Sequence, residues 1–297
     1  MFLFDNILIY IFIQEKHSFF FEVKLVFIYL SDNGKSLAMT KKFKYLLILF
    51  LGVNFSMTAQ FGFSHEVGAF VGGVAFQSDF GVRHDFETNA GNTGFGVGLV
   101  HYMNFAYRAE CNCYTPETYF NDHFKVRTEL SYNSTKLEHF GEWADKESLA
   151  GNQLKAMKGE AKVTDIGMQL EYFPLSIREF TATNGSWAPF LGLGAHYSFF
   201  SNHTYSELGP LGSPLTTYPR YLNGGYSSEG GSTWSVVSSV GTRYKLTELS
   251  DLFVELRWQY YFSDWVDGLN KDPNIWNENK SNDWNVWFHV GYIYYLD

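Results

Sequence analysis

The sequence predicts an all-β fold: an antiparallel, up-and-down transmembrane β-barrel of eight strands. Three observations carry this. Residues 284–296 read W-N-V-W-F-H-V-G-Y-I-Y-Y-L, with Trp284, Val286, Phe288, Val290, Tyr292, Tyr294 and Leu296 on one parity. Asn285, His289 and Gly291 share the other, interrupted by Trp287, Ile293 and Tyr295. Period two is the side-chain repeat of a strand with one apolar face. Similar segments recur along the chain. The composition, 19% aromatic with 27 Gly and only 7 Pro, suits strands that show lipid alternate residues only. A soluble β-sandwich is the rival fold, and membrane fractionation separates the two.

In chain order, an export signal comes first. Met39 to Lys44 is basic, 45–53 is apolar, and Ser56-Met57-Thr58-Ala59 supplies a cleavage region. The apolar stretch is too short to span a bilayer, which takes about 20 residues. Residues 1–38 read as translation from a misassigned upstream start, and Gln14-Glu15-Lys16-His17 breaks their apolar run. The barrel domain is then 60–297. The whole chain carries a net charge of −9, and loss of 1–59 removes six lysines but four carboxylates. So acidic a chain has no electrostatic footprint for nucleic acid.

The first strand is 61–76, with Phe63, His65, Val67, Ala69 and Val71 alternating with Ser64, Glu66, Gly68, Phe70 and Gly72. The second is 93–105, and its Gly94, Gly96 and Gly98 leave room inside for larger groups. The third, 124–135, sets Phe124, Val126, Leu130 and Tyr132 against Lys125, Arg127, Glu129 and Ser131. The fourth, 163–173, sets Ile166, Met168, Leu170 and Tyr172 against Asp165, Gly167, Gln169 and Glu171. The fifth is 188–200, with Gly192, Gly194 and His196 on the polar parity. The sixth, 233–245, carries Arg243 and Lys245 inward; the seventh, 251–263, carries Glu255 and Arg257. The eighth is 284–296. Each has about the 11 residues that a tilted strand needs to cross a bilayer. Connections 136–162, 201–232 and 264–283 are long and 246–250 is short, so on average long and short alternate as external loops and periplasmic turns do. The connection Ala106–His123 is longer than a turn should be and leaves room for a short extra element or a shift in register. A further hairpin inside 200–232 would make ten strands, and that count stays open here.

By this phasing Lys125, Arg127, Glu129, Asp165, Glu171, Arg243, Lys245, Glu255 and Arg257 form a charge network inside the barrel. Opposite charges can pair there, which offsets their desolvation. Eight strands leave an interior only wide enough for side chains. A salt-bridged plug is therefore expected ahead of a pore. Aromatics near strand ends (Tyr172, Phe173, Phe199, Phe200, Trp234, Tyr260, Tyr261, Phe262, Trp284, Tyr294, Tyr295) are assigned to interfacial girdles. His65 and His101 fall on the outward parity and must then lie near an interface.

Candidate chemistry is sparse. Cys111 and Cys113 are the only cysteines. A C-x-C disulfide closes a strained ring, yet export favours oxidation; a disulfide, free thiols, and a metal pair joined by His123 all remain open. The clusters His84-Asp85-Phe86-Glu87 and Asn121-Asp122-His123 read as solvated loop residues. Residues 149–158 read as a short loop helix. G-x-S-x-G, H-E-x-x-H and P-loop motifs are missing, so the chain is read as a non-enzyme with no catalytic, cofactor or metal residues.

The runs F-G-F-S-H-E-V-G (61–68), S-D-F-G-V-R-H-D-F-E-T-N-A-G-N-T-G-F-G (78–96), C-N-C-Y-T-P-E-T-Y-F-N-D-H-F-K (111–125) and L-E-Y-F-P-L-S-I-R-E-F (170–180) resemble an outer-membrane β-barrel family of flavobacteria and other Bacteroidetes. The P-F-L-G-L-G strand that follows belongs to the same resemblance, which covers about 39–297. It implies a small barrel of unknown role in the cell outer membrane. Some members carry the name glutamate dehydrogenase, an activity needing a parallel-sheet nucleotide domain that this ladder does not form. The expected role is structural or binding. The partners would be outer-membrane lipid, the barrel-insertion machinery, and an envelope or extracellular component at the loops. A narrow channel or transporter for small solutes and a lipid-acting outer-membrane enzyme are the alternatives. The apolar, aromatic C-terminal strand resembles a barrel-insertion signal, although Asp297 stands where a terminal aromatic is usual.

Overall fold

The computed structural model describes residues 63–81, 85–106, 118–270 and 282–296. The export signal, the upstream segment, Cys111 and Cys113 lie outside the described residues. Eight strands pair in sequence order and close: β1 (Ser64–Gln77), β2 (Thr93–Asn104), β3 (Phe124–Glu138), β4 (Met157–Tyr172), β5 (Trp187–Ser206), β6 (Gly231–Thr247), β7 (Ser250–Tyr261) and β8 (Trp284–Tyr295). All pairs are antiparallel, and β8 closes on β1 from Glu66↔Tyr295 to Gln77↔Trp284. The ten-strand alternative falls. Between β5 and β6 there is no added hairpin in the barrel, only a bridge from Tyr226 to Leu269.

One end carries the connection 105–123, the connection 173–186 and the tight Thr247–Ser250 turn. The other carries 78–92, 139–156, 207–230 and 262–283. These are the turn end and the loop end. Among the described residues five short helices decorate them: α1 (Phe86–Asn89), α2 (Tyr119–His123), α3 (Glu142–Asp145), α4 (Leu149–Ala156) and α5 (Ile177–Ala182). Ser148 caps α4, accepting a hydrogen bond from the Gly151 N–H, and Ser176 caps α5 through the Glu179 N–H.

The outer wall is apolar. Leu99 is 61% exposed, Leu193 64% and Phe288 58%. A continuous belt of such residues is costly in water and fits only hydrocarbon. Tyr132, Tyr197, Phe199, Trp234, Trp258 and Trp284 rim the belt at the loop end, and Tyr119, Tyr172, Trp187, Tyr244 and Tyr294 at the turn end. Four of the residues assigned to girdles turn inward instead: Phe173, Phe200, Tyr261 and Tyr295 are buried. Each neighbours an aromatic residue in sequence, and consecutive side chains on a strand point to opposite faces. Only one of each such pair can meet lipid.

The three residues that interrupt the β8 pattern are also inward. Trp287 and Ile293 are fully buried and Tyr295 nearly so. Trp287 fills the space above Gly96, where a Cβ would run into the indole ring, and Phe70 lies over Gly98 in the same way. Glycines on β2 and aromatics on β1 and β8 thus interdigitate. Gly96→Val should cost about 1–3 kcal/mol through overpacking. The urea midpoint for loss of the heat-modifiable gel band measures this.

Candidate functional site: the filled lumen and the loop-end groove

The nine charged residues assigned to the interior all point inward and are buried. Five of their ion pairs join strands that are not neighbours in the sheet, and the others lie within a strand or between adjacent strands. Arg257 on β7 donates both terminal nitrogens to Glu129 on β3, at 2.6 and 2.7 Å. Arg127 on β3 reaches Glu255 on β7 at 2.5 Å, Glu129 at 2.7 Å and Glu171 on β4 at 3.3 Å. Nearer the turn end, Arg243 on β6 bonds Glu66 on β1 at 2.7 Å and Glu171 at 3.0 Å, and Lys125 also bonds Glu66. Lys245 lies 3.3 Å from Asp251 and 3.8 Å from the Tyr295 ring centroid.

Sequence reasoning missed Glu66 and Asp251, which complete the lattice. Glu66 sat on the polar parity of the first strand, and that signal was enough to find it. Asp251 stands at a strand start, where parity is ambiguous. Asp165 is inside but outside the ion lattice. It accepts hydrogen bonds from Ser198 and Gln259 at 2.5 and 2.9 Å, and among the described residues no lysine or arginine comes within ion-pairing distance of it.

Apolar clusters close both mouths. At the turn end, Phe173, Ile177, Phe180 and Phe190 pack together, with α5 supplying two of them. Asp122 accepts the Arg178 N–H at 3.1 Å and ties α5 to α2. At the loop end, Phe76, Phe80, Leu137, Met157, Tyr221 and Leu269 belong to one buried cluster. His139 packs there against Phe80, ring centroids 4.9 Å apart, and burial holds its imidazole down to about 3, hence neutral. From mouth to mouth the lumen therefore runs apolar, ionic, aromatic, polar and apolar.

On the outer wall near the turn end, His65 and His101 stack with ring centroids 5.2 Å apart. Their Nδ1 and Nε2 are 3.0 Å apart, and His101 Nδ1 is 3.2 Å from Thr128 Oγ1. This is the nearest approach to a hydroxyl–imidazole relay on the lipid face. Thr128 Oγ1 also donates to the His101 carbonyl at 3.3 Å, and the strands around it pair as the β1–β2–β3 ladder. His123 instead bonds the Phe173 carbonyl at 2.6 Å and stacks on Tyr119. Among the described residues no group of three or more His, Cys, Asp or Glu side chains is disposed to hold a metal ion.

No protein-family model matches the chain, and no curated protein matches it. Among solved structures it is similar to the neisserial surface protein A, at 14% identity over 77% of this chain and 96% of that one, TM-score 0.40. It is similar to OprG of Pseudomonas aeruginosa, at 16% identity over 78% and 96%, TM-score 0.37. It is also similar to the outer membrane enzyme PagL, at 13% identity over 77% and 98%, TM-score 0.31. At these identities and TM-scores the similarity says nothing about activity, which has to be read from this chain's own side chains.

The loop end carries an open groove of ≈ 490 Å³ between the end of β5, residues 209–211 and residues 226–229. Its floor and walls are tied by hydrogen bonds. The Thr204 N–H donates to Ser228 Oγ at 3.2 Å, the Ser227 N–H to the Gly268 carbonyl at 2.8 Å, and the Asn270 N–H to the Gly225 carbonyl at 3.0 Å. Gly268 has φ 87°, and a Cβ there would meet Thr204 Oγ1 and the Ser227 carbonyl. Only glycine supplies that conformation without strain.

Beneath the loops three aspartates, Asp79, Asp267 and Asp283, are buried together. Asp267 accepts the Asp79 and Leu269 N–H groups at 2.9 and 2.7 Å, and Asp283 accepts the Asp267 N–H at 3.1 Å. Burial, reinforced by the neighbouring carboxylates, pushes Asp267 and Asp283 well above the ordinary aspartate range. An acid with a raised folded pKa favours the folded loop when protonated. Its contribution is full below the unfolded value of about 3.9 and is lost as pH rises through the folded value. Hydrogen-exchange protection of the Asp79, Asp267 and Leu269 amides, corrected for intrinsic rates, should therefore rise on acidification from neutral pH. Asp267→Asn should flatten that dependence.

Proposed function

We propose that this chain is an outer-membrane barrel whose task is binding at its external loops, with the barrel serving as a closed anchor. The observation that carries this is the filled lumen: ion pairs cross it from β3 to β7 and from β1 to β6, and apolar clusters cover both mouths. A solute path would require several buried charges to part at once, and breaking one buried pair costs about 3–5 kcal/mol. The loop end, by contrast, is large and hydrogen-bonded, and it holds the groove. The export signal read from 39–59, the aromatic rims and the on-average longer connections at the loop end support placing the loops outside the cell. Outer-membrane lipid around the belt and the barrel-insertion machinery acting on β8 complete the expected partners.

Reconstituted in planar bilayers, the folded protein should give no stepwise conductance. Immobilised in detergent, it should retain a component of the native envelope that is lost when 207–230 is replaced by a short Gly-Ser linker. Reproducible single-channel steps from heat-modifiable protein would contradict the reading. Release of fatty acid from phospholipid vesicles, abolished by His101→Ala, would point to the lipid-enzyme alternative.

A further inference from the structure

We infer that the loop-end groove is a binding site for a neutral saccharide. This rests on the loop-binding role proposed above and names its ligand class. The volume, ≈ 490 Å³, is within the range of about 300–1,000 Å³ of small-ligand sites. Two tyrosines line it: Tyr205, exposed at the end of β5, and Tyr226, half-buried on the facing wall. An aromatic face offers a flat apolar platform with a polar hydroxyl at its edge. A pyranose presents the complement, an apolar face of C–H groups ringed by hydroxyls.

The polar lining is of one kind. Ser206 Oγ accepts the Leu208 N–H at 3.3 Å, Ser227 Oγ accepts the Glu229 N–H at 3.2 Å, and Ser228 Oγ accepts the Thr204 N–H at 3.2 Å. Each hydroxyl accepts one backbone N–H and keeps its proton to donate. The Glu229 carboxylate is exposed at the rim and is an acceptor only. The lining thus offers both donors and acceptors beside the tyrosines, as a polyol requires. No lysine or arginine lines the groove. Lys158, across the sheet from Tyr205, is already engaged by Glu138 and Glu207, so a phosphorylated, sulfated or uronic polymer would place an anion beside Glu229 with no uncommitted cation in the lining to receive it. An uncharged sugar is the class of ligand that this lining fits.

The site is also preorganised. Lys158, paired across the sheet with Tyr205, bonds Glu207 at 2.7 Å, and His203 stacks on Tyr205 with centroids 5.7 Å apart. The 226–229 wall is held to 268–270 by the Tyr226–Leu269 bridge. Little ordering remains for the ligand to induce, which keeps the entropic cost of binding low.

The test uses full-length mature protein in nanodiscs, titrated with maltotriose, laminaritriose and chitotriose and, in parallel, with a heparin disaccharide. Binding is read by saturation-transfer NMR and calorimetry. At least one neutral trisaccharide should bind. Tyr205→Ala should weaken it tenfold or more, Glu229→Gln by about threefold, and the heparin disaccharide should not compete. Heat-modifiable migration checks that each variant is folded. Two outcomes overturn the saccharide assignment: none of the neutral sugars binds, or binding is unchanged in Tyr205→Ala and Tyr226→Ala. If the sugars fail while capture of an envelope component still depends on 207–230, the saccharide assignment falls and the loop-binding role stands. If both fail, the role itself falls.

Discussion

The structure depends on charges being satisfied across a space that holds no bulk water. Five cations (Lys125, Arg127, Arg243, Lys245, Arg257) and five carboxylates (Glu66, Glu129, Glu171, Asp251, Glu255) are packed into the lumen of an eight-stranded barrel. None could sit there alone, because an unpaired buried charge is far costlier than the pair. Glu129 illustrates the constraint: it takes both terminal nitrogens of Arg257 and one from Arg127. Strand register must deliver each acceptor to its donor from the opposite wall. A one-residue slip would turn those side chains to lipid, so the lattice and the apolar belt enforce the same register from the two faces of one sheet.

The rest of the interior follows from that layer. Aromatic rings lie against the guanidinium groups, with Arg243 4.1 Å from the Tyr102 centroid. Trp287 and Phe70 fill the space that the β2 glycines leave. Apolar clusters then shield both ends. The charged side chains of the lumen are buried, and among the described residues the accessible polar surface lies mainly at the two ends of the barrel. Strands β3, β4 and β5 continue beyond the loop-end aromatic rim, carrying Lys136, Lys158, Lys162 and His203 on their outer face. That raised wall is what holds the groove away from the bilayer. Binding residues on loops set by a rigid scaffold are the common arrangement.

How much of this was legible in sequence depended on whether one periodicity governed a segment. Within the bilayer one face must be apolar, and the alternation placed β2, β7 and β8 to within one or two residues at each end. Beyond the bilayer that requirement lapses. The fourth strand was read from 163 and begins at Met157, and the fifth was ended at 200 and runs to Ser206. The β4 extension alternates in the opposite sense, with Met157, Gly159 and Ala161 inside and Lys158, Glu160 and Lys162 outside, and the β5 extension is largely polar on both faces, so neither shows the apolar outer face that marked the strands. Aromatic side chains blurred parity in a second way, since Phe173, Phe200, Tyr261 and Tyr295 suit lumen and rim alike. Asn223-Gly224-Gly225 and Glu229-Gly230-Gly231 are turn signals in the sequence, and Gly224 and Gly230 have φ of 77° and 65°. The groove was not legible. It joins 204–211 to 226–229 through tertiary hydrogen bonds that leave no local pattern.

The central claim is that ion pairs spanning the lumen hold opposite walls of the barrel together. A double-mutant cycle on Arg257 and Glu129, using Arg257→Met, Glu129→Gln and the double variant, tests it most directly. Stability is measured by urea unfolding in lipid vesicles. The account predicts that each single variant is strongly destabilised and that the double variant recovers part of the loss, with a coupling of about 1.5 kcal/mol or more. Additivity within about 0.5 kcal/mol would contradict it, and would mean that the charges fill the lumen without bracing it.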